Sequence, residues 1–270
     1  MKKTLTFITV LLLSVILVAC QNKIEDPKTI YVVATQIPHE EILKEAEPLL
    51  KEKGYKLDIT VTDDYYVPNK AVANKSADVN FFQHIPFFDK YNSDAKDSEK
   101  LVNVAGIHIE PIAAYSKTIT DINNLPNNAK VLISNSEADH GRILSILSQN
   151  NVVTLNEGVD TLTAKLSDIK ENPKNITFKQ VAPELLATTY NTESDSQLAF
   201  INGNFALTAK LDNNQKVLVE SPTNNPYVNI LAVLNGRENL PKIKALIEVL
   251  TSKDIKDFIT NKYAGSVIPA

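Results

Sequence analysis

The chain has 270 residues, with 28 lysines and arginines against 32 aspartates and glutamates, a formal net charge of −4. A mildly acidic chain without a Lys/Arg cluster excludes nucleic-acid binding and polybasic membrane contact as its main business. Hydrophobic residues make up 43% and the charges are scattered, which excludes a disordered stalk.

The first element follows Lys2 and Lys3. No charged residue interrupts Leu5–Ala19, and the run ends in Leu17-Val18-Ala19-Cys20. An apolar run this short does not span a bilayer comfortably, which takes about 20 residues. A basic start, a short apolar stretch and a cysteine are the marks of a bacterial signal peptide ending in a lipobox. Residues 1–19 are expected to be removed, and the Cys20 thiol to carry diacylglycerol that anchors the chain to the outer face of the cell membrane. Cys20 is the only cysteine, so the mature chain of 251 residues has no disulfide and depends on burial for stability. Residues 20–28 are polar and read as a lipidated tether.

From Thr29 short β-branched runs alternate with helical spacing. Strands are predicted at 29–35, 56–62 and 77–82, with helices at 40–53, 68–75 and 85–91. Leu101–Tyr115 reads as one long extended stretch and the natural place for a crossing between domains. A second series follows: strands at 130–134, 175–181 and 197–201, helices at 139–149, 183–190 and 203–211. Strands at 216–220 and 227–234 and helices at 241–251 and 253–263 close the chain. Alternation of this kind predicts an α/β fold of two lobes, each a mixed, mostly parallel sheet flanked by helices, with a ligand cleft between them. Lobe 1 is expected to comprise 29–110 plus 225–270, and lobe 2 to comprise 111–224. The hinge is expected in the 107–115 and 221–227 crossings.

Ligands of open parallel sheets bind beyond the carboxyl ends of strands. Five sets of polar and aromatic residues fall there: Pro38-His39, Asp64-Tyr65, Phe82-Gln83-His84, Gly141-Arg142 and Asn202. Arg142 is one of two arginines, and a guanidinium holds a carboxylate through two parallel hydrogen bonds. Gly141-Arg142 is read as opening a helix, beside free backbone N–H groups. Arg237, in a Gly-Arg-Glu loop, reads as surface, and Phe88 as core packing.

Nine stretches carry a family resemblance in order along the chain. They are TQIPHEEIL (35–43), DYYVPN (64–69), DVNFFQHIP (78–86), HIEPIAAYS (108–116), GRIL (141–144), ENPKN (171–175), AFINGNFA (199–206), NPYVN (225–229) and GSVIPA (265–270). Together they resemble the bacterial methionine-binding lipoproteins, the NlpA/MetQ family of ABC-importer receptors. The resemblance implies an aromatic cage with a histidine around a thioether side chain, built here from Tyr65, Phe82, His84, Phe87 and Tyr115. It also implies that Arg142 takes the carboxylate and that Asn202 and Asn229 serve the amine and carboxylate. Its partners are methionine or a related small ligand, an ABC permease with its ATPase, and the membrane through the N-terminal lipid; it implies a monomer without cofactor.

Two stretches depart from the family pattern. Asn135–His140 reads Asn-Ser-Glu-Ala-Asp-His where the family has Asn-Asp-Pro-Thr-Asn, which leaves Asp139 as a helix cap near the carboxylate site. Glu184–Ala187 replaces Gln-Leu-Pro-Arg. Other classes fit less well. No Gly-x-Ser-x-Gly is present for a hydrolase, and His39, His84, His108 and His140 form no H-x-x-x-H pair for a metal receptor. A surface adhesin needs no cleft. A methionine-containing dipeptide or another small amino acid is the alternative ligand.

Overall fold

A computed structural model describes residues 26–270; the leader, its lipobox and Cys20 lie outside the described residues. Among the described residues no helix is long and apolar enough to cross a membrane.

The first half opens as a β-α-β-α-β run: β1 (Thr29–Ala34), α1 (Glu41–Glu52), β2 (Lys56–Val61), α2 (Val67–Ala73) and β3 (Val79–His84). One stripe of α1 is apolar, and its Ile42, Leu43, Ala46 and Leu50 are buried. Pro68 sits in the first turn of α2, where its missing N–H has no intrahelical partner to lose. All six residues of β3 are buried, so Asn80 and Gln83 need internal partners. Asn69 of α2 supplies them: its amide donates to Gln83 Oε1 at 2.9 Å, and its Oδ1 accepts from Asn80 at 2.9 Å and Gln83 at 2.7 Å. Helix α3 (Ile85–Asp94) follows without a loop.

Strand β4 (Leu101–Ile109) joins β12 (Val228–Leu234) and β13 (Ile268–Pro269) in a six-stranded sheet of order β13-β4-β12-β3-β1-β2. The predicted extended stretch is therefore mostly a sheet strand. Only Glu110–Ile112 crosses to β5 (Ala113–Tyr115), which belongs to the second sheet. Helices α7 (Pro241–Leu250) and α8 (Lys253–Tyr263) pack with α1 over this sheet.

The second sheet adds β6 (Lys130–Ser134), β9 (Thr177–Val181), β10 (Leu198–Ile201) and β11 (Lys216–Val219) in the order β11-β5-β10-β6-β9. Helices α4 (Glu137–Gln149), α5 (Leu186–Thr192) and α6 (Gly203–Thr208) flank it, and β7 (Thr154–Leu155) pairs with β8 (Ile169–Glu171) in a separate ribbon. The fold is α/β with two lobes, and both sheets are mixed. Parallel pairing is confined to β2-β1-β3 and β10-β6-β9, where helices make the crossovers. Pairings of β4, β5, β11, β12 and β13 are antiparallel; these strands lead into or out of the crossings between the sheets or lie at the end of the chain. That limits the expected predominance of parallel strands to one side of each sheet, ending at the β2 and β9 edges.

Two corrections concern helix ends. Helix α4 begins at Glu137, so Arg142 is its sixth residue and does not open it; the unpaired backbone N–H groups lie before it. Asp139 is in the first turn and does not cap the helix; the cap position is Ser136. Arg237 is not free surface: its Nη2 donates to Asp78 Oδ1 at 2.9 Å, and Lys242 Nζ holds the other oxygen at 2.6 Å. Phe88 is buried in the core as expected.

Candidate functional site

Between the sheets lies a small chamber lined by Tyr65, Phe82, His84, Phe87, Glu110, Arg142, Asn202, Asn204 and Asn229, with Gln83 and Gly203 completing its wall. Seven of the eight sequence-predicted residues meet there. Tyr115 does not. It is buried 6.2 Å from the Tyr190 ring and lines a separate cavity with Pro111, Lys210 and Lys216. Burial pushes its hydroxyl up to about 12.

The aromatic wall is a set of edge contacts. Tyr65, Phe82 and Phe87 pack at 5.7 to 5.8 Å between ring centroids, and Tyr65 stacks on Phe205 at 5.1 Å. The Tyr65 hydroxyl, at the end of the second strand-to-helix loop, donates to Asn204 Oδ1 in α6 at 2.8 Å. Burial raises that hydroxyl well above its ordinary range, so it stays a donor. His84 caps α3, its Nδ1 accepting from the Phe87 N–H at 3.2 Å. That occupies one nitrogen as an acceptor and leaves Nε2–H to donate to Asp139 Oδ1 at 3.2 Å. Asn202 Nδ2 donates to the same oxygen at 3.1 Å, while Asn202 Oδ1 is buried without a partner among the described residues. Burial alone would raise the Asp139 carboxyl; His84, Arg142 and the Ser134 hydroxyl hold it below the usual carboxylate range.

Arg142 is almost wholly buried. Its Nε and Nη2 form a fork on the Glu220 carboxylate, Nη2 also donates to the Glu110 carbonyl at 3.1 Å, and the guanidinium lies 4.3 Å over the Tyr227 ring. The bidentate geometry expected for a ligand is thus taken by Glu220, while Arg142 also lines the chamber. Glu220 and Tyr227 carry this arrangement, and neither was singled out by sequence reasoning.

Glu110 is the other omission. It sits in the first crossing, with Gly203 so close that an added Cβ would lie 2.9 Å from its own Cβ and 3.2 Å from Oε2. Its Oε1 lies 2.7 Å from His108 Nε2 and 3.4 Å from His39 Nε2. His39 Nε2 is also 3.1 Å from Asn229 Oδ1, and its Nδ1 is 2.7 Å from Thr35 Oγ1. Burial lowers His39 to about 4 and His108 to about 3, so both rings are neutral, and burial raises the Glu110 carboxyl. His39, His108 and Glu110 are the three groups close enough to share a cation among the described residues. The sequence reading named both histidines but did not join them, because 69 positions separate them, and it did not single out Glu110 inside the HIEP stretch.

The polar atoms facing the chamber form two sets. Among the lining residues, Arg142 and the Asn229 amide offer donors, whereas Glu110 and the unpartnered Asn202 Oδ1 offer acceptors. A family model described as NlpA lipoprotein matches residues 30–270. The chain belongs to the NlpA lipoprotein family. Along its whole length it is 48% identical to a protein of Bacillus subtilis named methionine-binding lipoprotein MetQ, covering 99% of that relative. A solved Bacillus subtilis structure described as a putative methionine-binding lipoprotein superposes with a TM-score of 0.86 at 49% identity, over 90% of this chain and 98% of that one. A nutrient-binding protein from Burkholderia cenocepacia, solved bound to methionine, superposes with a TM-score of 0.82 at 29% identity, over 89% and 99% of the two chains.

Proposed function

We propose that this NlpA-family lipoprotein captures methionine outside the cell membrane and delivers it to an ABC permease. The observation that carries the reading is the chamber's split of donors and acceptors beside an aromatic wall. A zwitterion stripped of water needs opposite partners at its two ends. Arg142 and the Asn229 amide suit the carboxylate. Glu110 and the unpartnered Asn202 Oδ1 suit the ammonium. Tyr65, Phe82 and Phe87 suit a thioether, which packs favourably against ring edges. The names of the relatives support the same ligand, and the family resemblance supports the transporter role. The lobes are taken to divide at 110/111 and 224/225, and Cys20 to be the lipid attachment.

Mass spectrometry of small molecules released from the purified, denatured protein tests the ligand, followed by calorimetric titration of the emptied protein with L- and D-methionine. Release of methionine and saturable binding are expected. A parent protein that ignores both enantiomers sinks the reading. A second reading has one observation behind it: a groove of about 440 Å³ shares Tyr65 and Phe87 with the chamber and continues past Tyr66, Asn69 and Asn135. A methionine-containing dipeptide has room there, and the same mass spectrum would show it.

A further inference from the structure

His39 does not line the chamber, yet two of the chamber's polar groups converge on one of its nitrogens. Nε2 faces Asn229 Oδ1 at 3.1 Å and Glu110 Oε1 at 3.4 Å, and both are acceptors. A nitrogen between two acceptors carries the hydrogen. Nδ1 of the same neutral ring is then a lone pair, and the Thr35 hydroxyl at 2.7 Å donates to it. The side chain is 1% exposed and wedged edge-on against Phe81, with ring centroids 4.6 Å apart. Its tautomer is therefore fixed by neighbours and not by water.

Two consequences follow for the ligand's head group. Asn229 has its carbonyl oxygen engaged from behind, so its NH₂ is the end left for the chamber. Glu110 has Oε1 bonded by His108 at 2.7 Å and faced by His39 Nε2 at 3.4 Å, so Oε2 is the oxygen left beside Gly203. Rotating the Asn229 amide would set its NH₂ against His39 N–H and leave a buried donor unmatched.

We propose that His39 is a positioning residue for ligand selection, its single N–H bonding the Asn229 amide and facing the Glu110 carboxylate that His108 holds, so that the chamber demands both a carboxylate and an ammonium. The inference rests on the chamber being the head-group site. Its basis is hydrogen-bond direction, which a merely space-filling histidine would not impose. His108 supports Glu110 from the other side, and Thr35 fixes the tautomer of His39.

The tautomer is read without ligand, by ¹⁵N histidine NMR of the full-length protein at neutral pH. A neutral His39 protonated on Nε2 is expected; protonation on Nδ1 overturns the proposal whatever the ligand proves to be. Selection is read by titrating the parent and three variants with L-methionine and with 4-(methylthio)butanoate, which lacks the ammonium. A site built to bond a group rejects the analogue that lacks it, so the parent is expected to prefer methionine by about 100-fold or more. His39→Leu should narrow that gap at least about 10-fold, mainly by weakening methionine, since buried partners lose their donor. His39→Gln, which returns an N–H near the position of Nε2, should restore most of it. Thr35→Val, a gentler change, should narrow the gap in the same direction with the fold intact. Equal losses for both compounds, or an unchanged gap in all three variants, overturn the proposal. So does a methionine affinity that rises with zinc and falls with chelator, which would make His39, His108 and Glu110 a cation site instead. A parent that binds neither compound refutes the methionine reading, while the NMR result still decides the relay.

Discussion

Removing the Arg142 side chain would leave the Glu220 carboxylate inside the protein with the Ile112 N–H, at 3.3 Å, as its remaining donor among the described residues. Breaking a buried pair in this way costs about 3–5 kcal/mol, because the surviving charge is uncompensated. Arg142→Ala is therefore expected to lower stability as well as abolish binding. The double variant with Glu220→Leu should lose less stability than the two single changes added together, and denaturant melts in a double-mutant cycle check this. A second expectation concerns pH. His39 and His108 sit at about 4 and about 3 because they are buried, against 6.5 for an exposed ring. The unfolded chain binds more protons below 6.5, so their contribution is complete above that value and is lost as pH falls toward the folded values. Between pH 7 and 5 the loss is at most about 2 kcal/mol per histidine. Glu110, raised by burial, acts in the opposite sense, and Asp139, held low, adds a loss only below about 3.8. The denaturation midpoint should drop from pH 7 to 5, and His108→Leu should flatten the change; a parent midpoint that rises on acidification contradicts it. Sequence reading found seven chamber residues because their types are uncommon or aromatic and fall at strand ends. It missed Glu110, Glu220 and Tyr227 because acids and tyrosines in loops are ordinary, and only the fold brings them to Arg142.

Helix α6 shows how little room the elements leave. It begins at Gly203, directly against the Glu110 stem, and an added methyl group would approach the Glu110 Cβ at 2.9 Å. Glu110 is bonded by His108 at 2.7 Å and flanked by His39 at 3.4 Å, and cannot simply swing away. Gly203→Ala is expected to displace the carboxylate, weaken methionine about 10-fold or more, and cost about 1–3 kcal/mol through overpacking. Titration beside a thermal melt separates the two effects; unaltered affinity would mean that Glu110 does not hold the ammonium. At this scale the β-α-β runs were readable, since apolar stripes in α1 and β-branched strands announce themselves. The extent of β4 was not. Its partners β12 and β13 lie more than a hundred residues downstream, so extended sequence alone did not distinguish a strand from a crossing. The start of α4 was also misplaced. Residues Glu137 and Ala138 have ordinary helix-forming side chains, and Ser136 makes no side-chain cap to mark the boundary. The β7–β8 ribbon, two and three residues long, carries no period to read.

At the scale of the whole molecule, two connections among the described residues join the two sheets, and they are bonded to each other. The Glu220 N–H donates to the Ile112 carbonyl at 2.9 Å, and the Ile112 N–H donates to the Glu220 carboxylate. Arg142 ties the pair together by holding the Glu220 carboxylate and the Glu110 carbonyl at once. A hinge at these connections would sit against the wall of the chamber, so a ligand group reaching Arg142 would also touch the pivot. Opposite the hinge the lobes meet through Tyr65 on Asn204 and Phe205 and through His84 on Asp139. The chamber they enclose has a volume of about 20 Å³, enough for about one water. An amino acid cannot enter or fit without movement, so binding requires the Tyr65 and His84 contacts to part and re-form around it. Opening at the Glu110–Ile112 and Glu220–Tyr227 connections achieves this while both sheets stay intact. Solution scattering on protein freed of ligand should therefore show a radius of gyration that falls when methionine is added to saturation. Tyr65→Phe removes the hydroxyl that reaches Asn204 yet keeps the ring stacked on Phe205. It should leave the saturated profile unchanged but speed methionine release about 5- to 10-fold, as expected for a lost hydrogen bond of roughly 1 kcal/mol. Stopped-flow displacement measures that rate. Identical scattering with and without methionine, together with unaltered release from Tyr65→Phe, would rule out closure of the lobes as the step that captures the ligand.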